Sequence, residues 1–151
     1  MAKICEAKFN IMKTVKLKEL EPSHRRLIRE AWEARENAYC PYSNYKVGAS
    51  LLTSGGNIYR GCNVESVTFT LTTHAEINAI DTMVASGENS ISAFCVCVDD
   101  TSVWPPCGIC RQKLIEFAEN RGIPVLAANR EEVRLYRLEE LVPEFFFPEK
   151  F

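Results

Sequence analysis

Apolar and polar positions change period several times along the chain, and each change marks an element. Leu27, Ile28, Ala31, Trp32 and Ala38 recur at helical spacing behind the start signal Glu21-Pro22-Ser23, which predicts an amphipathic helix over Ser23–Tyr39. Cys40-Pro41 ends it, because the residue before a proline avoids the helical region. Two strand-like runs follow, Lys46–Thr53 and Asn57–Asn63, and Ser54-Gly55-Gly56-Asn57 between them predicts a hairpin. Thr73–Ser86 reads as a second helix, with Ala75, Ala79, Ile80, Met83 and Val84 on or near one face and Gly87 as its stop. Ile91–Val98 reads as a buried strand. Cys107–Asn120 reads as a third helix, and Pro124–Ala128 and Val133–Tyr136 as short strands. Strands joined through helices imply a parallel part of the sheet, and the opening hairpin adds an antiparallel part. The expected fold is α/β, a mixed sheet sandwiched by helices in three layers.

No repeat, linker or low-complexity tract divides the 151 residues, so residues 1–151 read as one domain, with Met1–Lys16 an irregular basic lead-in. No run approaches the roughly 18–20 apolar residues of a membrane span. The lysine-bearing N-terminus lacks an apolar block with a small-residue cleavage site, and the expected compartment is the cytoplasm. The net charge is −2 and the basic residues are scattered. That argues against a long nucleic acid as partner and suits a small neutral molecule. Seven cysteines is an odd number at low density, which speaks for metal-binding, catalytic or buried thiols rather than a disulfide scaffold. Cys95 and Cys97, in the stretch Ala93–Val98, read as small core residues on a strand.

Two short motifs carry chemistry: Thr73-His74-Ala75-Glu76 and Pro106-Cys107-Gly108-Ile109-Cys110, each opening a predicted helix. Taken singly, both are ambiguous. Thr73-x-x-Glu76 also matches a helix capping box. Cys107 and Cys110, three apart at a helix N-terminus where thiolates are favoured, suit a redox pair or half a structural zinc site as well as a catalytic metal. Together they supply one imidazole and two thiolates, a set suited to zinc. Structural zinc sites close with four protein ligands, whereas catalytic sites keep three and leave one place open. Neither motif offers a fourth ligand, although Cys40 or Cys62 could be brought near by the fold. Glu76, two residues from His74, does not share its helical face. It is placed to move protons for an activated water rather than to bind metal from the same turn.

The pairing H-x-E with P-C-x-x-C is the signature of zinc deaminases. The chain resembles the cytidine deaminase family in five ordered motifs between about Leu27 and Pro148. Cys40-Pro41-Tyr42-Ser43-Asn44-Tyr45-Lys46-Val47-Gly48-Ala49 is similar to its CPYS-x-F-x-VGA segment, and Gly61-Cys62-Asn63-Val64-Glu65 to its GCN-[IV]-E segment. His74-Ala75-Glu76 and Cys107 to Gln112 match its two zinc motifs. Glu140-Leu141-Val142-Pro143, with Phe146 and Pro148, resembles its ELLP-x-x-F-x-P ending. The resemblance implies one zinc per subunit on His74, Cys107 and Cys110, with Glu76 as proton shuttle. The reaction it implies is deamination of cytidine or deoxycytidine at C4 with release of ammonia. It further implies that Asn63 and Glu65 bind the ribose 3′-hydroxyl and that the Ala75 backbone and Glu76 read the base edge. Tyr45 would lie against the base, and Phe69 and Phe146 would line the pocket, from a neighbouring subunit if the chain associates. A homotetramer is implied, a homodimer being the alternative.

Three departures bear on substrate choice. His74 stands where short members often carry cysteine, and Ile77 stands where those tri-cysteine members carry arginine. The two changes agree, because zinc with two thiolates and a neutral imidazole is neutral and needs no arginine to temper it. Phe69–Thr73 lacks the usual tyrosine-proline pair, and Pro105 replaces a common serine. Phe147 replaces a usual glycine. A deaminase of a modified cytosine nucleoside such as blasticidin S would keep the same zinc motifs. A redox or structural-zinc protein would make His74 and Glu76 dispensable or demand a fourth ligand.

Overall fold

The computed structural model describes residues 12–147. Six strands form one sheet in the order β1-β6-β5-β4-β2-β3. They are β1 (Lys13–Val15), β2 (Val47–Thr53), β3 (Ile58–Cys62), β4 (Ile91–Val98), β5 (Pro124–Ala128) and β6 (Val133–Arg137). Only β4 and β5 pair in parallel, joined through a helix; every other neighbouring pair is antiparallel. The mixed sheet between helices is therefore as expected.

Helix α1 (Pro22–Glu36) packs on one face, and α2 (Ala75–Ala85) and α3 (Gly108–Phe117) on the other. The alternation of β4 shows the two layers directly. Ala93, Cys95 and Cys97 join Leu27, Ile28 and Ala31 of α1, while Phe94 and Val96 join Ala79, Ile80 and Leu114. A strand covered on both faces reads as an unbroken apolar run, which is why Ala93–Val98 of β4 carries no polar residue. Cys95 and Cys97 are buried core thiols, as their sequence setting suggested.

The boundaries differ from the sequence reading where another contact captures the backbone. Helix α1 stops at Glu36, not Tyr39. The Lys46 Nζ donates to the Glu36 carbonyl, and Tyr39 bridges to Val64 instead of continuing the helix. Helix α3 stops at Phe117, not Asn120, because Ala118 bridges to Ile91 and the Glu119 amide donates to the Ile91 carbonyl. Within the expected lead-in, Lys13–Val15 is an edge strand on β6. Residues 1–11 of that lead-in lie outside the described residues. A further helix, α4 (Leu138–Leu141), lies in the aromatic tail.

Two glycines set how closely the helices lie. A Cβ at Gly48 would sit 2.0 Å from the Ala31 carbonyl of α1, and one at Gly61 would sit 2.3 Å from both the Ala75 carbonyl and the Ala79 amide of α2. These backbones approach each other only because neither position carries a side chain.

Candidate active site

The site forms where two helix N-termini converge. His74 is the N-cap residue of α2 and Cys107 the N-cap residue of α3, with Cys110 in the first turn of α3. His74 Nδ1 lies 3.3 Å from Cys110 Sγ and 3.4 Å from Cys107 Sγ, and the two sulfurs are 3.5 Å apart. A tetrahedral zinc, about 2.3 Å from sulfur and about 2.0 Å from nitrogen, sets ligand–ligand edges of about 3.5–3.8 Å. The triangle matches that size. Cys40 and Cys62 do not belong to this group, and among the described residues no fourth protein ligand joins it.

Glu76 lies beside the triangle and is only 6% exposed. The capping-box alternative does not hold. The cap position belongs to His74, and Thr73 is engaged in backbone pairing with Val64. Burial pushes the Glu76 carboxyl above the ordinary carboxylate range, against the opposing pull of its own backbone amide and of His74. Burial also raises the Cys110 thiol, reinforced by the negative charge of Glu76. Two sulfurs and a carboxylate thus crowd one place, and among the described residues no lysine or arginine lines the cavity beside them. A divalent cation is the group that reconciles this donor set, so the residues fit zinc. Zinc held there would supply Lewis acidity, which lowers the pKa of a bound water toward about 7.

The cavity above the triangle measures about 390 Å³, within the range of small-molecule sites. Asn63 and Glu65 also line it. Asn63 Oδ1 accepts from the Val47 amide at 2.8 Å, and its Nδ2 donates to the Tyr45 carbonyl at 2.9 Å. Glu65 Oε2 accepts from the amides of Tyr42 and Ser43 at 2.9 and 3.2 Å, and the Ser43 hydroxyl donates to Oε1. Asn44 follows them in the same turn at φ +56°. The Ser43 hydroxyl first, then these amides, hold the Glu65 carboxyl below its usual range. Both side chains keep spare capacity. An amide nitrogen has a second N–H, and a carboxylate accepts about four hydrogen bonds, of which three are used.

Of the other expected residues, Tyr45 and Ala75 line the cavity. Phe69 and Phe146 are not part of its lining. Each is 74% exposed, and Phe69 packs edge-on against Tyr42. Sequence reasoning missed three contributors. Ser43 clasps Glu65. Trp104 lines the cavity three residues before Cys107. Arg111 holds the loop ahead of α3, donating to the carbonyls of Pro106 and Leu141.

Three converging side chains that could hold one metal ion, with a buried carboxyl beside them and a cavity against them, have the make-up of a mononuclear metal site of the hydrolytic class, carried on an α/β/α sandwich. Residues 21–125 match the family model described as the cytidine and deoxycytidylate deaminase zinc-binding region. The cytidine deaminase of Sporosarcina psychrophila is 43% identical over 104 residues, 69% of this chain and 76% of that protein. That of Halalkalibacterium halodurans is 37% identical over 123 residues, 82% of this chain and 93% of that protein. The crystal structure of the Burkholderia pseudomallei cytidine deaminase superposes with a TM-score of 0.77 at 38% identity, covering 82% of this chain and 98% of that one. The chain belongs to the cytidine and deoxycytidylate deaminase family and, as a member, is a zinc-dependent hydrolase.

Proposed function

We propose that this chain deaminates cytidine and deoxycytidine, consuming one water and giving uridine or deoxyuridine and ammonia. The observation that carries the reading is one cavity lined both by His74, Cys107 and the buried Glu76 and by Asn63 and Glu65. A nucleoside has a partner for each group, its base amino group for the metal and its sugar hydroxyl for the polar pair.

Glu76 has the two proton transfers to perform. It takes a proton from water and delivers it to ring N3 as the hydroxyl adds to C4; it then takes the proton of that C4 hydroxyl and delivers it to the amino group, so that the C4–N bond breaks, ammonia leaves and the C4 carbonyl forms. A carboxyl held above its ordinary range by burial donates more readily near neutral pH. Asn63 and Glu65 orient the sugar through their remaining hydrogen-bonding capacity, and a site with such groups discriminates against a ligand that leaves them unpaired. The same lining argues for a nucleoside over a nucleotide. Among the described residues it contains the carboxylates of Glu65 and Glu76 and no lysine or arginine to receive a phosphate.

Two further readings rest on less. A homotetramer is supported by exposed apolar residues near the cavity rim, including Phe69 and Leu71. A cytoplasmic setting is supported by six free cysteines among the described residues. No helix among the described residues is long and apolar enough to cross a membrane.

The test is the ultraviolet absorbance change of cytidine on conversion to uridine, with purified, zinc-loaded protein and with deoxycytidine, deoxycytidylate and blasticidin S run in parallel. Turnover of both nucleosides, with the nucleotide much poorer, is the expected result. Turnover of blasticidin S alone, or of none of the four by protein shown to hold zinc, overturns the reading.

A further inference from the structure

The pairing of the two central strands ends at Val47 of β2 and Val98 of β4, antiparallel. Tyr45 and Asp100 each lie two residues beyond that pair, in the segments that adjoin the sheet. Their side chains meet. Tyr45 Oη donates to Asp100 Oδ2 at 3.0 Å, and Trp104 Nε1 donates to the same oxygen at 3.2 Å. Asp100 is itself held in place. Its Oδ1 accepts from Thr101 Oγ1 at 3.2 Å, and its carbonyl accepts from Asn129 Nδ2 at 3.1 Å. The rings of Tyr45 and Trp104 both line the cavity, whereas Asp100 is not part of the lining. One carboxylate therefore joins two walls that come from segments more than fifty residues apart in sequence.

We propose that Asp100 ties Tyr45 and Trp104 into a single side wall that sets the cavity's width along the base, so that Asp100 is a positioning residue and Trp104 a specificity-determining one. This rests on the nucleoside reading above. Tyr45 belongs to the sugar end, because its carbonyl accepts from Asn63. Trp104 belongs to the metal end, three residues before Cys107. A base with C4 at the metal and N1 toward the sugar lies along that wall. Glu76 serves the N3 edge, which leaves the C5 edge to the remaining walls of the metal end, where Trp104 and Pro105 stand. A substituent at C5 meets the indole.

Anchoring both rings before a ligand arrives removes freedom that binding would otherwise have to freeze. The anchor also holds its protonation state. Burial and the Asp100 hydrogen bond push the Tyr45 phenol up to about 12, and the donors Tyr45 and Trp104 hold the Asp100 carboxyl below its usual range.

Steady-state kinetics with cytidine and 5-methylcytidine test the wall. Tyr45→Phe and Asp100→Ala are each expected to raise KM for cytidine about 3- to 10-fold, the scale of one lost hydrogen bond, and to raise it more than they lower kcat. Asp100→Asn, which keeps an acceptor oxygen, is expected to recover most of that loss. Trp104→Ala is expected to shift kcat/KM toward 5-methylcytidine over cytidine by about 10-fold, the scale of one accommodated methyl. Tyr45→Phe keeps the ring and loses one oxygen, so it stands as the test even if Asp100→Ala fails to fold. A substrate ratio unmoved by Trp104→Ala overturns the proposal, as does a Tyr45→Phe change that lowers kcat with KM unaltered. Wild-type protein inert toward cytidine sinks the nucleoside reading and the wall with it, whereas active wild type with an unmoved ratio sinks the wall alone.

Discussion

Glu76 shows how one backbone choice frees a side chain for chemistry. In a capping box its carboxylate would be consumed by the amide of Thr73. Here Thr73 pairs with Val64, the cap passes to His74, and Glu76 enters the first turn of α2 facing the metal ligands. Two consequences follow at this scale. Glu76→Gln keeps the shape but cannot carry a proton, so zinc content by metal analysis should stay at wild-type level. Turnover should fall by about 10²- to 10⁴-fold. Near wild-type activity in that variant would mean that another group moves the proton. His74→Ala removes one corner of a triangle whose edges are 3.3–3.5 Å, and both zinc and activity should be lost. A His74→Ala protein that binds zinc fully would take His74 out of the ligand set.

At the scale of elements, the site depends on how tightly α2 lies on the hairpin. Gly61 faces the Ala75 carbonyl and Ala79 amide at distances no Cβ tolerates, and His74 stands immediately before that contact. Gly61→Ala must push the start of α2 off β3, which costs about 1–3 kcal/mol or more as overpacking and moves His74 away from Cys107 and Cys110. A lower melting temperature together with reduced zinc occupancy is expected. Gly56→Ala is the control. Gly56 sits at φ +87° in the hairpin turn with open space around it, so alanine there strains the turn by about 1 kcal/mol and leaves zinc binding intact. Equal zinc loss in both variants would place the effect in general stability.

The same elements explain what was legible in the sequence. The hairpin, β4 and α2 announce themselves through turn glycines, an unbroken apolar run and helical periodicity, and the ligands through motifs that open helices. Strand β1 does not, because a three-residue edge strand is held by backbone pairing to β6 and needs no side-chain pattern. Asp100 and Trp104 were not legible either. Their role depends on which residue of β2 faces which residue of β4, a register that no local window contains.

At the scale of the molecule, apolar side chains among the described residues are left uncovered at several places, two of them next in sequence to residues that line the cavity. Phe69 and Leu71 stand on the segment leading to Thr72 and His74. Ile109 stands between the two cysteine ligands, with Phe146 on the tail that α3 holds through Gln112. Thr72, His74 and Cys107 line the cavity, so association of copies through these surfaces would close its rim and bring the aromatic residues of one subunit toward the site of another. The chain weighs 17.1 kDa, and light scattering on a sizing column should give a mass of four such chains, or of two if only one of the surfaces is used. Phe69→Glu combined with Leu71→Glu should shift the mass downward and reduce kcat/KM together, since both residues lie outside the cavity of their own chain. A monomer of 17.1 kDa with full activity would show that one chain builds the whole site, and that Phe69 and Phe146 have no part in it.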